Sequence, residues 1–81
     1  MYYYVYVIKS KVDGRLYKGM TKRIGERIKE HNSGKTKSTK GYMPWELVYK
    51  EILNTRKEAR QREKFLKSGK GRDFLKQILA S

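Results

Sequence analysis

A chain of 81 residues is enough for one small domain, and such a domain buries only about 60% of its unfolded surface, so its core must be thin. Lys and Arg total 21 against 8 Asp and Glu, a formal net charge of +13, which predicts salt-sensitive attraction to polyanions, nucleic acid first among them. The absence of cysteine excludes disulfides and thiolate metal sites.

The opening MYYYVYVIKS has no basic segment ahead of its apolar run, and Lys9 interrupts that run early. This is neither a signal peptide nor a membrane span, so a soluble cytoplasmic protein is expected. An anionic membrane surface is a poorer partner, because the apolar residues are needed for the core.

Residues 2–9 are rich in Tyr, Val and Ile and read as a strand with two apolar faces, covered on both sides. Asp13-Gly14 is a hairpin turn signal of the type I′ kind, and Arg15–Gly19 follows as the second strand. A two-residue loop places Ser10 opposite Tyr17. A four-residue loop, Lys11 to Gly14, places Ile8 opposite Tyr17 and Tyr6 opposite Gly19. Both put Tyr6 and Tyr17 on one face, because the side-chain period is two; a three-residue bulged loop would break that parity. The longer loop also leaves an open spot beside Tyr6.

Thr21 to about Ser33 reads as a helix capped by Thr21 and stopped by Asn32-Ser33-Gly34. Ile24 and Ile28 mark its buried stripe, and Arg27 and His31 form a flanking row at the stripe's edge. Residues 34–43 form a polar loop carrying Lys35, Lys37 and Lys40, and Pro44 stops any helix from running through. A third strand lies within Trp45–Leu53, with Val48 and Ile52 as its clearest apolar pair.

Thr55 and Glu58 make a capping box for a helix reaching about Lys67. Ala59, position 63 and Leu66 fall on its buried stripe. Ser68-Gly69-Lys70-Gly71 breaks the chain, and a last helix runs from Arg72 to Ala80. The order strand, strand, helix, strand, helix, helix gives one α+β domain over residues 1–81, with a small, mainly antiparallel three-stranded sheet flanked by helices.

Glu63 is the most telling residue. A carboxylate on an apolar stripe must pair with a cation, bind a metal or line a cleft. Arg27 offers forked donors to a phosphate, and His31 has a pKa suited to acid–base work, although a solvated helix flank would also explain both. Tyr6 and Tyr17 are either strand-packing aromatics or hydroxyls for a water or a phosphate oxygen. Lys35, Lys37 and Lys40 suit a nucleic-acid backbone better than a phosphate-nucleotide cradle, because the P-loop spacing is missing.

Taken together, these positions resemble the GIY-YIG nuclease superfamily. Tyr4-Val5-Tyr6 stands where that family has Gly-Ile-Tyr, and Tyr17-Lys18-Gly19 where it has Tyr-Ile-Gly, ten residues apart. Arg27 matches the catalytic arginine, His31 falls in an E-H-N segment, and Glu63 matches the metal-binding glutamate. The stretches EHNSGKTKSTKG and REKFLKSGKG are similar to small stand-alone bacterial proteins related to the N-terminal nuclease domain of the excinuclease C subunit.

The resemblance implies hydrolysis of DNA phosphodiesters with one divalent cation, Mg²⁺ or Mn²⁺, at Glu63, and no small-molecule cofactor. It implies Tyr6 as general base or water-orienting group, Arg27 as phosphate stabiliser, and Tyr17 and His31 as assistants. DNA is the implied substrate, with RNA as a second option, and repair or recombination the implied setting. Tyr4 departs from the family glycine, and Lys18 from the apolar residue of the second element. The competing expectation is a non-catalytic basic nucleic-acid-binding module on the same scaffold.

Overall fold

Val5, Tyr6, Val7 and Ile8 are all buried, as a strand with two apolar faces requires. They belong to β1 (Tyr3–Ser10), the middle strand of a three-stranded antiparallel sheet, between β2 (Leu16–Thr21) and β3 (Trp45–Leu53). The structure, a computed structural model, describes residues 2–80. The helices are α1 (Ile24–Asn32), α2 (Arg56–Lys67) and α3 (Gly69–Leu79). The fold is α+β. No helix among the described residues is long and apolar enough to cross a membrane.

The sheet separates two apolar clusters. Val5 and Val7 pack with Ala59 and Leu66 of α2 and Leu75 of α3. On the other face Tyr6, Ile8 and Trp45 pack with Ile24 and Ile28 of α1 and with Tyr17. A polar clamp ties α2 and α3 to β3. The Nε–H of Arg62 donates to both Glu51 carboxylate oxygens, at 3.0 and 2.8 Å, and its guanidinium lies over Phe65 and Phe74.

The hairpin takes the four-residue loop. Tyr6 opposes Gly19 and Ile8 opposes Tyr17. Ser10 holds the turn, its backbone N–H donating to Arg15 and its hydroxyl accepting from the Val12 N–H. Gly14 has φ +78°, and no residue other than glycine has positive φ among those described, so the type I′ expectation for Asp13-Gly14 fails. The extra residues let Gly14 alone carry the left-handed conformation.

Other boundaries move for local reasons. Thr21 ends β2, and its hydroxyl accepts the Arg23 N–H rather than capping a helix, so α1 begins at Ile24. Ser68 does not simply break the chain. Its side chain accepts the Gly71 N–H and caps α3, which therefore starts at Gly69 rather than Arg72.

β3 carries one residue more than its partner: Val7 opposes Tyr49 and Ile8 opposes Leu47, leaving Val48 as a bulge. Val48 and Ile52 are consequently not a pair. Val48 packs in the cluster beneath α2 and α3, whereas Ile52 opposes Tyr4 on the other face and is 57% exposed.

Candidate active site

Tyr6 rises from the central strand on the face that α1 covers. Its ring crosses Gly19 of the edge strand, where a side chain is missing. A Cβ at position 19 would sit 2.6 Å from the Tyr6 hydroxyl, so glycine is needed here for the close approach. A Gly19→Ala variant should force the ring aside and break the contact of Tyr6 with His31. The expected cost is about 1–3 kcal/mol, or roughly 5–20 °C in melting temperature, measured by thermal denaturation. An unchanged melting temperature would contradict the tight fit.

His31 is fully buried and is not at a solvated helix edge. Its Nε2 lies 2.9 Å from the Tyr6 hydroxyl, and its Nδ1 lies 2.8 Å from Thr39 Oγ1. The Thr39 hydroxyl in turn reaches the Thr36 carbonyl at 3.3 Å. That carbonyl can only accept, so the proton positions follow. Thr39 donates to Thr36, His31 Nδ1–H donates to Thr39, and the bare Nε2 accepts from the Tyr6 O–H. Burial and the nearby Arg27 charge hold the His31 pKa below its ordinary value, with Glu30 opposing, so the ring is neutral at neutral pH.

Tyr6, Tyr17 and His31 form one aromatic cluster. Tyr17 stacks edge-on to His31 at 4.9 Å between centroids and lies 6.5 Å from Tyr6. Burial raises the Tyr6 pKa; the Arg27 guanidinium pulls it down, while Tyr17 and Glu63 push it up. Tyr6 is thus a neutral phenol. Arg27 is half-buried, with Nη1–H donating to Glu30 at 2.8 Å, and that pairing raises its own pKa further. The carboxylate holds the guanidinium in place beside Tyr6 and leaves other donors of the fork available to an incoming anion.

Glu63 comes from the other layer. α2 packs on the face of the sheet away from α1, against all three strands, among them β2, the edge strand over which the Tyr6 ring extends. Ala59 and Leu66 occupy the buried stripe of α2, while Glu63 is at its margin, with a side chain 18% exposed and 3.4 Å from the Lys67 ammonium. It is therefore partly a simple ion pair with a neighbouring lysine and partly a charge that acts on Tyr6.

Lys35, Lys37 and Lys40 are exposed on the loop after α1. They lie outside the aromatic cluster, which the same loop reaches through buried Thr39 and through Tyr42 and Met43. No periodic signal in the sequence marks Thr39. Asn32, read as a stop signal, also holds the fold together. Its side-chain amide bonds the Trp45 backbone in both directions, at 3.0 and 2.6 Å, and docks α1 onto β3.

A model of the GIY-YIG catalytic domain matches residues 2–76. The chain belongs to the GIY-YIG family. Its relatives include a UPF0213 protein of Staphylococcus saprophyticus, 43% identical over 77 residues that cover 94% of this chain and 93% of the relative. A UPF0213 protein of Clostridium perfringens is 45% identical over 65 residues, covering 79% of this chain and 69% of that one. The solution NMR structure of a UPF0213 protein from Bacillus halodurans is similar to this GIY-YIG chain with a TM-score of 0.59 and 36% identity, covering 96% of this chain and 85% of that one. The family implies a nucleic-acid substrate in general, and its nucleases generally use a divalent metal.

The described residues contain no group of three or more His, Cys, Asp or Glu side chains able to hold an ion. A zinc site, which needs three or four such ligands, does not fit. A hard cation that keeps most of its waters does fit a lone carboxylate, because Mg²⁺ is commonly held by one or two carboxylates plus substrate phosphate.

Proposed function

We propose that this chain is a metal-dependent endonuclease that hydrolyses DNA phosphodiester bonds with little sequence preference of its own. The reading treats residues 1–81 as one nuclease domain working in the cytoplasm, in DNA repair or recombination. The observation that carries it is the buried Tyr6–His31–Thr39–Thr36 chain of hydrogen bonds, which leaves an unprotonated imidazole nitrogen waiting on the Tyr6 phenol.

Glu63 would hold Mg²⁺ or Mn²⁺, with Tyr17 and Arg27 on the approach of the phosphate. Bound there, the cation supplies positive charge to a phosphate oxygen. Tyr6 orients the attacking water and takes its proton, while the phenol proton moves to Nε2 of His31. The resulting imidazolium keeps its other N–H on Thr39. Arg27 stabilises the charge that gathers on the equatorial oxygens as the P–O bond to the leaving group breaks. Tyr6→Phe removes the proton carrier and should slow plasmid nicking by at least about a hundredfold with Mg²⁺ or Mn²⁺. Undiminished nicking would remove Tyr6 from the chemistry.

The charge of +13 and the Glu63–Lys67 ion pair favour a second reading, a basic nucleic-acid-binding module without turnover. In that case DNA binding is retained and no preparation nicks DNA with either cation.

A further inference from the structure

The outer face of α2 holds charges that the site has not absorbed. Arg56, Arg60, Lys64 and Lys67 follow one another at intervals of four, four and three residues and are all exposed. That spacing aligns them in one row along the helix. The row runs beside Glu63 and spans roughly 16 Å, the rise of about five base pairs of B-DNA. At its end, Arg72 in the first turn of α3 and Lys18 on β2 add two more cations. Lys18 points to the α2 side of the sheet, opposite Tyr17, and Lys67 and Arg72 both act on it as like charges.

A row of charges is usually just a solvated surface, and most lysines among the described residues, those of the 35–40 loop included, have no acid partner. The arginines decide the matter here. Among the described residues every arginine outside the row and its continuation meets an acid: Arg15 with Asp13, Arg23 with Glu26, Arg27 with Glu30 and Arg62 with Glu51. Among the described residues no carboxylate pairs with Arg56, Arg60 or Lys64. Of the two glutamates on α2, Glu58 is held in the capping box and Glu63 pairs with Lys67. Like charges four apart on a helix repel and destabilise it, so this row opposes its own helix until an anion neutralises it.

We propose that the row Arg56–Arg60–Lys64–Lys67, continued by Lys18 and Arg72, is a track for the phosphate backbone of duplex DNA that leads one strand past Glu63. This makes α2 both the support of the metal-binding carboxylate and the principal backbone contact, ahead of the lysine loop 35–40. The inference rests on the nuclease reading for the identity of the polyanion, but its test does not depend on cleavage.

The test is binding of a mixed-sequence duplex, followed by fluorescence anisotropy with a chelator in place of any divalent ion. It compares wild type, the triple variant Arg56→Gln, Arg60→Gln, Lys64→Gln and the triple variant Lys35→Gln, Lys37→Gln, Lys40→Gln. Each lost phosphate contact lowers the slope of log affinity against log salt by about 0.9, so the α2 variant should lose about 2.7 of slope. Between 50 and 200 mM salt, wild-type affinity should then fall about 40-fold more than that of the α2 variant. The loop variant should change less. The single variant Arg60→Gln, expected to lose about 0.9 of slope, keeps the test valid if the triple variant fails to fold. A wild-type slope retained in the α2 variants overturns the track and leaves the nuclease reading standing. No duplex binding by the wild type overturns both.

Discussion

Gly71→Ala should lower the melting temperature by roughly 20 °C, the largest loss of stability expected from a single methyl group in this protein. A Cβ at position 71 would fall onto the carbonyl oxygen of Phe65 and lie 2.6 Å from the Leu66 Cα. These are backbone atoms of the preceding helix, so no rotamer change can relieve the overlap. The α2–α3 corner would have to open, and Leu66 and Leu75, both fully buried, would lose their shared packing against Val5 and Val7. A cost of about 4 kcal/mol or more is expected for such a disruption. A chain of this size has only about 4–12 kcal/mol in total. Gly69→Ala is the control, since nothing lies within 4 Å of its added Cβ. Equal melting temperatures for the two variants would refute the account of the corner.

Glu63→Gln should cut plasmid nicking in Mg²⁺ or Mn²⁺ by about a thousandfold and leave the fold intact. Glutamine keeps the volume and removes the charge that would hold the cation. Several kcal/mol of charge stabilisation at the phosphate are then lost, at about 1.36 kcal/mol per tenfold in rate. Stability should change by less than about 1 kcal/mol, because the Lys67 partner is a largely exposed lysine and such pairs contribute little. DNA binding without a divalent ion should be unchanged or tighter, as Lys67 is released to meet a phosphate. Nicking at the wild-type rate by Glu63→Gln would eliminate the carboxylate from the mechanism, and with it the assignment of the cation.

Much of this architecture is readable from local chemistry. The two-sided apolar run of β1 predicts a central, covered strand, and Tyr6 opposite Gly19 follows from a four-residue loop and a period of two. Thr55 and Glu58 form the reciprocal capping box that their spacing implies. Contacts between distant segments are not readable in this way. Nothing near Thr39 indicates that it completes a chain beginning at Tyr6, because both ends meet only when the loop folds under α1. The extra residue at Val48 has no signal, since Trp45–Leu53 reads equally well as a regular strand. Gly71 reads as part of a break and is a helix crossing, which only the docking of two helices defines. Glu63 is legible as an anomaly, and its neighbour Lys67 is legible as a candidate partner. That it stands near enough to Tyr6, on a strand far away in sequence, to push its pKa up requires the fold.

The bulge at Val48 means that β3 is read in two frames. Before it, Trp45 and Leu47 address α1; after it, Tyr49, Glu51 and Leu53 address α2 and α3. Substitutions within either half alter one layer. Deleting Val48 itself would restore regular pairing and leave both halves on their present faces, because Leu47 and Tyr49 already oppose consecutive residues of β1 on opposite sides of the sheet. A deletion elsewhere in β3, with the bulge kept, would turn part of the strand over, so that Trp45 leaves Asn32 and Thr39 or Glu51 leaves Arg62. Gaps among related chains should therefore be tolerated at the irregular point and rare in the rest of the strand.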